Sequence, residues 1–84
     1  MTSKPRLTEE QHAELGRKLA AMQSQLVSIH VQLLNAYPMQ GAESRPARKI
    51  DAAAKKLEDA RSELENALFR DHPNATTGVY YPKN

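Results

Sequence analysis

The stretch that decides the fold is LAAMQSQLVSIHVQLLNAYPMQGA, which runs from Leu19 to Ala42 and contains no Lys, Arg, Asp or Glu. Charged residues make up 26% of the whole chain, so their absence here is a local feature. Polar residues interrupt the stretch too often for a membrane span, which needs roughly 20 mostly apolar residues. An ordinary surface helix would carry charge on its outward face. We therefore expect protein to cover more than one face of this segment.

Length and composition limit the class of protein. With 84 residues the chain makes one small domain, a size at which a single core supplies only a few kcal/mol of net stability. It has no cysteine, so stability cannot come from a disulfide or a thiolate metal site, and oligomerisation becomes a more attractive source. The polar N-terminus contains no apolar signal segment, which favours a cytoplasmic location without a membrane anchor. The formal charge of +2 is mild for a dedicated nucleic-acid binder.

The first helix has a recognisable start. Residues 1–7 are predicted to form a flexible arm, because Pro5 and small polar residues give it nothing to bury. Thr8 is the predicted N-cap, and Gln11 three residues later completes a capping box. Glu9 and Glu10 place negative charge where the helix dipole favours it. Helix 1 is predicted to run from about residue 8 to residue 36.

Apolar residues of helix 1 recur at spacings of four and three, the heptad pattern of coiled-coil packing. Heptad position a holds His12, Leu19, Leu26 and Leu33, and position d holds Leu15, Met22, Ile29 and Ala36. A second apolar column lies about 100° further round the helix. This column, position b, holds Ala13, Ala20, Val27 and Leu34, and position e between them holds Gly16, Gln23, His30 and Tyr37. We expect the a and d positions to pack on helix 2 and the b column to remain uncovered within one chain.

Pro38 and Gly41 predict a short turn after helix 1, so the second helix should return antiparallel. Helix 2 is predicted over residues 45–71, with Ser44 as its N-cap and Pro46 in its first turn. Its predicted seam holds Ile50, Leu57 and Leu64 at a, Ala53, Ala60 and Ala67 at d, and Ala47, Ala54 and Leu68 at e. Alanine at every d position would let the two backbones approach closely.

The preferred register of the hairpin sets Leu15 beside Leu64, Met22 beside Leu57 and Ile29 beside Ile50. It also brings Lys18 to Glu63, whereas a shift of one heptad would oppose Lys18 to Arg70. The predicted fold class is therefore all-α: a coiled-coil-like antiparallel two-helix hairpin that dimerises into a four-helix bundle and carries an extended C-terminal tail.

The tail, residues 72–84, loses all helical periodicity. Val79, Tyr80 and Tyr81 form a short segment with extended-chain preference. Phe69 lies at heptad position f, facing away from the seam, and an exposed Phe at a helix end invites cover. Two alternatives stay open: the tail docks on Phe69 or on a neighbouring subunit, or it is disordered.

No residue pattern indicates catalysis, a cofactor or a metal site, so we do not expect an enzyme. The three histidines, His12, His30 and His72, lack the spacing of metal ligands. We interpret His30 and Gln23 as a half-buried polar pair that fixes the register of the helices, in preference to a ligand site.

A basic cluster, Arg45, Arg48, Lys49, Lys55 and Lys56, crowds the first half of helix 2, while acidic residues crowd the second half. This order is the reverse of what the helix dipole prefers and suggests a compensating contact. A solvated surface or pairing with protein is the favoured reading, and nucleic acid is the alternative.

Two functions follow. The first is a protein–protein interaction or scaffolding module that self-associates, most simply as a dimer, and meets an unknown partner protein. Its predicted self-association face comprises Ala20, Gln23, Val27, His30, Val31, Leu34 and Tyr37. The second is a small basic regulator that binds nucleic acid through the basic cluster. An oligonucleotide titration at two salt concentrations separates them, because affinity for nucleic acid falls steeply with salt.

Overall fold

The computed structural model describes residues 5–75 and 78–81. Helix α1 spans Glu9–Ala36, a short 3-10 helix spans Gly41–Ser44, and helix α2 spans Arg45–Asp71. The two long helices pack against each other, which confirms the predicted all-helical pair. Within the described ranges there is no strand, and neither long helix is of the length and apolar character needed to cross a membrane.

The start of α1 is fixed by the predicted capping box. The Gln11 amide donates to the Thr8 side-chain hydroxyl over 3.1 Å, and the Thr8 amide donates to Gln11 Oε1 over 2.9 Å. These two bonds satisfy backbone donors that have no partner within the first turn.

The connection after α1 is also local in origin. Tyr37 precedes Pro38 and adopts the extended conformation that such residues prefer (φ −134°, ψ 145°). Gly41 has φ +59°, a left-handed conformation that favours glycine. The hydroxyl of Ser44 donates to the Gly41 carbonyl (2.8 Å) and accepts from Arg48 Nε (3.1 Å). Ser44 is the N-cap of α2, as predicted, although its side chain makes no capping hydrogen bond.

The surface along which α1 and α2 meet differs from the predicted one. In α1, positions a and e are the least exposed, and in α2 the low-exposure positions are again a and e. We call this contact surface the a–e seam. It comprises His12, Gly16, Leu19, Gln23, Leu26, His30 and Leu33 of α1 with Ala47, Ile50, Ala54, Leu57, Arg61, Leu64 and Leu68 of α2.

The predicted a positions of both helices and the predicted e positions of helix 2 belong to the seam, but the prediction of the d positions is wrong. Met22 and Ile29 at position d of α1 remain 49% and 41% exposed, and Ala53 and Ala60 at position d of α2 are exposed. Small residues at position e, such as Gly16 and Ala54, allow close approach on that side. The helices are consequently rotated so that each d column lies at the flank of the seam.

One hydrogen bond reports the register. Gln23 Nε2 donates to the Ala54 carbonyl over 3.2 Å. In the predicted register Gln23 lies within one helical turn of Ala54, whereas a shift of one heptad would set it across from Glu63. The bond agrees with the predicted register. Gln23 Oε1 is buried without a hydrogen-bond partner.

The predicted pair between Lys18 and Glu63 does not form. Lys18 Nζ lies 3.4 Å from Glu14 Oε1 on its own helix, and among the described residues Glu63 makes no ion pair. Both Lys18 and Glu63 occupy heptad position g, which the rotation to the a–e seam carries away from the partner helix.

The hairpin is a single layer of helices. Its smallest dimension is 14 Å, close to the diameter of one helix with side chains. Outside the end that the C-terminal segment Gly78–Tyr81 occupies, no second layer of the described chain covers either broad face of the hairpin.

Candidate functional site

The most deeply buried side chains lie at the open end of the hairpin, opposite the turn. Tyr80 is completely buried, His12 is 1% exposed and Arg61 is 8% exposed. Together with Gly16 they form a group that we call the tail cluster. It joins α1, α2 and the C-terminal segment Gly78–Tyr81.

Tyr80 and His12 form the centre of the tail cluster. The Tyr80 hydroxyl lies 2.5 Å from His12 Nδ1, and the two rings meet edge to face with centroids 5.7 Å apart. In the tautomer with its proton on Nε2, neutral His12 accepts a hydrogen bond from this hydroxyl. His12 Nε2 is buried and has no hydrogen-bond partner.

Arg61 holds the backbone of the tail. Its Nε donates to the Tyr80 carbonyl over 3.0 Å, and its Nη2 donates to the same oxygen. The guanidinium carbon lies 4.6 Å from the centre of the Tyr81 ring, within cation–π distance. The Tyr81 hydroxyl donates to the Glu58 carbonyl over 3.0 Å. A carbonyl and a ring face thus replace the water that this buried cation has lost.

Gly16 gives the tail room to approach α1. A Cβ atom built on Gly16 would overlap the Val79 carbonyl carbon and oxygen. The colliding atoms belong to the backbone, so no side-chain rotation would relieve the overlap. Glycine is required here for close approach.

His72 links both ends of the chain beside the tail cluster. Its Nε2 donates to the Leu7 carbonyl over 2.7 Å, and its ring lies 6.0 Å from that of His12. Its Nδ1 is 4.0 Å from Glu9 Oε1. Residues 1–4 of the predicted flexible arm lie outside the described residues, as do residues 76–77 and 82–84 of the tail.

Burial shifts the protonation of both central groups. Loss of water lowers the pKa of His12 below its ordinary value of 6.5, the nearby His72 lowers it further, and Asp71 acts in the opposite direction. Loss of water also raises the pKa of Tyr80 above 10.0. At neutral pH, therefore, an uncharged imidazole faces an uncharged phenol.

Stability is expected to fall as the pH falls below about 6.5. The unfolded chain then binds a proton at His12 that the folded chain does not, which lowers the free energy of unfolding by up to about 1.4 kcal/mol per pH unit. Urea unfolding between pH 7 and pH 5 measures the slope. His12→Gln should reduce it, while His30→Gln, a change outside the tail cluster, should retain it. An equal slope in wild type and His12→Gln would contradict this assignment.

The side chains of the tail cluster are closely packed. Its side chains are closed to solvent, and its polar groups other than His12 Nε2 bond to each other. Over residues 5–75 and 78–81, no group of three or more His, Asp or Glu side chains is arranged to hold a metal ion. What this arrangement can do chemically is fix the C-terminal segment to both helices.

The predicted self-association face is divided by the rotation of the helices. Val27, Val31, Leu34 and Tyr37 are 40% to 52% exposed. Ala20, Gln23 and His30 are half-buried, and Gln23 is directed at α2. Gln23 was wrongly placed on an uncovered surface, because position e proved to be part of the seam. The prediction also missed Met22, Ile29 and Met39, which are exposed to a similar degree.

The basic cluster lies on the outer side of α2. Arg45, Arg48, Lys49, Lys55 and Lys56 are all exposed. Lys55 pairs with Asp51 over 3.1 Å, and Arg48 bonds to Ser44. Both of these contacts are made within α2 or with the residue that precedes it.

The predicted tail residues take different positions from those expected. Tyr80 and Val79 lie against His12 and Gly16 of α1, and the hydrogen bonds of the tail go to His12, Glu58 and Arg61. Phe69 is half-buried, and among the described residues its ring forms no aromatic pair with Tyr80 or Tyr81.

Sequence reasoning missed three residues of the tail cluster: His12, Gly16 and Arg61. Two features of the heptad pattern could have indicated that Gly16 and Arg61 have a special role. Gly16 is a glycine in a helix interior, which usually has a packing reason. Arg61 interrupts a column of small and apolar residues at position e of helix 2.

No protein-family model, curated protein or solved structure matches the chain.

Proposed function

We propose that this protein is a non-enzymatic interaction or scaffolding module that self-associates through α1. The observation that carries the proposal is the exposure of large apolar side chains along the charge-free part of α1, which begins at Leu19. On one flank of the seam lie Met22 and Ile29 at position d, and on the other lie Val27 and Leu34 at position b. Val31 at position f and Tyr37 at position e are exposed as well.

The free energy available from burying these side chains is large compared with the net stability of the domain. Burying Val, Leu, Ile or Met fully is favourable by about 1.5 to 3 kcal/mol relative to full exposure. A domain of this length has only a few kcal/mol of net stability, so several half-exposed side chains represent a large unused contribution. Since the surrounding surface is uncharged, a contact there would not desolvate a charge of α1.

The tail has a structural role in this proposal. Tyr80 is buried against both helices, which supports a tail that completes the hairpin over one that serves as a free docking peptide. The four-helix bundle would then form from two such hairpins.

Light scattering tests self-association. We expect a molar mass near twice the chain mass of 9.4 kDa at micromolar concentration, decreasing on dilution. A double variant with one charge on each flank, Met22→Glu with Val27→Glu, should be monomeric. Ser28→Glu, an exposed change away from the seam, should behave like wild type. A monomeric wild-type protein at all concentrations would contradict the proposal.

Nucleic-acid binding through the basic cluster is the second candidate function. The exposure of all five of its cations on α2 favours it. The oligonucleotide titration at two salt concentrations decides between the two: no binding at low salt removes this candidate.

A further inference from the structure

The two broad faces of the hairpin differ in chemistry. In an antiparallel pair of helices, columns of residues at the same heptad position lie at the same angle from the seam and on the same broad face of the pair. One face, the d face, carries Leu15, Met22, Ile29 and Ala36 of α1 with Ala53, Ala60 and Ala67 of α2. The other, the b face, carries Ala13, Ala20, Val27 and Leu34 of α1 with Asp51, Glu58 and Glu65 of α2.

The b face is the poorer contact surface. Half of it is acidic, because its α2 side carries Asp51, Glu58 and Glu65. Part of it is already used by the chain itself, since the Tyr81 hydroxyl bonds to the Glu58 carbonyl and Val79 lies against Gly16. The d face has no charged residue in either column.

The d face is complementary to itself when α1 of one copy lies on α2 of the other. Its α1 column presents bulky side chains, Met22 and Ile29, while its α2 column presents Ala53 and Ala60. Large residues against small ones fill space better than bulky residues against each other. A two-fold axis parallel to the helices produces this arrangement and places Met22 over the gap between Ala53 and Ala60 of the second copy.

Charges at the rim agree with the same arrangement. Position g borders the d face on both helices and holds Gln11, Lys18, Gln25 and Gln32 of α1 with Lys49, Lys56, Glu63 and Arg70 of α2. In the register reported by Gln23, Lys18 is level with Glu63, and the lysines of α2 are level with glutamines. Lys18 of one copy would therefore meet Glu63 of the other, a pair that the single chain does not make.

We infer that the d face is the dimer interface, occupied by a second copy of this chain with α1 of each copy packed on α2 of the other. The inference rests on the proposed function, self-association through α1, and adds the face, the pairing of helices and the symmetry. It also explains the alanine column of α2, which has no partner within the hairpin.

The first test compares two substitutions of matched exposure on opposite faces. Met22 is 49% exposed and Val27 is 52% exposed, so each accepts a charge in the monomer to a similar extent. In sedimentation equilibrium, Met22→Glu should raise the dimer dissociation constant at least tenfold, and Val27→Glu should change it by less than twofold. Far-UV circular dichroism checks that both variants remain helical.

The second test identifies which helices touch. The Met22→Glu chain is mixed with the Ala60→Lys chain, each weakly dimeric alone. We expect heterodimers to form, because the glutamate of one chain meets the lysine of the other. If α1 of one copy packed on α1 of the other instead, the introduced lysine would not meet the introduced glutamate, and mixing would not restore dimerisation.

The outcomes distinguish this inference from the proposed function. If Val27→Glu dissociates the dimer and Met22→Glu does not, self-association stands and the d face is excluded. If Met22→Glu dissociates the dimer but mixing restores nothing, the pairing of α1 on α2 is wrong. If wild type is a monomer, or neither single substitution nor their combination weakens the dimer, both proposals fail.

Discussion

Tyr80→Ala is expected to lower the free energy of unfolding by about 3 to 5 kcal/mol, the range found for removal of a buried aromatic side chain. Tyr80 is completely buried and bonds to His12, so the substitution leaves both a cavity and an unpaired imidazole. Urea or thermal unfolding followed by circular dichroism measures the loss, which is comparable to the whole net stability of so small a domain.

Two milder substitutions locate the origin of this effect. Tyr80→Phe keeps the ring but removes the partner of His12 Nδ1, and should cost about 1 to 3 kcal/mol. Tyr81→Phe removes a hydroxyl that bonds to Glu58 at an exposed position, and should cost less than about 1 kcal/mol. Equal stabilities of wild type and Tyr80→Ala would show that the tail makes no energetic contribution.

Gly16→Ala is the second prediction, and its sign is opposite to the usual one. Replacing glycine by alanine inside a helix normally stabilises it by about 1 kcal/mol. Here the added methyl group would overlap the Val79 carbonyl, so the tail must leave its position. We expect a net loss of stability, limited by what the tail contributes and reduced by the gain in helix propensity.

The same substitution should reverse its sign when the tail is already displaced. In a Tyr80→Ala background, Gly16→Ala should increase stability by about 1 kcal/mol, because only helix propensity remains. This double-mutant cycle separates tail contact from a local effect on α1. A stabilising effect of Gly16→Ala in the otherwise wild-type chain would contradict the assigned contact.

The features that could be predicted from the sequence are local ones. The capping box of Thr8 and Gln11, the extended Tyr37 before Pro38 and the turn at Gly41 depend on residues within a few positions of each other. The apolar period that defines two helices is equally local. The two helices could be predicted from these signals because each signal depends only on residues that are close together in the chain.

The side on which each helix packs was decided only by the tertiary structure. From His12 onward, helix 1 carries no Lys, Arg, Asp or Glu at positions a, b, d and e, so its own pattern allows either the a–d or the a–e contact. The choice depends on which columns of both helices fit together, and Gln23 finds its partner, the Ala54 carbonyl, only in the a–e arrangement.

The tail cluster is the clearest case of long-range determination. His12 and Tyr80 are separated by 68 positions, and Arg61 and Tyr80 by 19. Nothing in the neighbourhood of His12 distinguishes it from another seam residue. By itself the sequence determined two amphipathic helices, their junction and the charge-free stretch from Leu19 to Ala42, because these follow from backbone preference, periodicity and composition. Only the tertiary structure decided the a–e seam and the burial of Tyr80, because both depend on steric fit between segments that are distant along the chain.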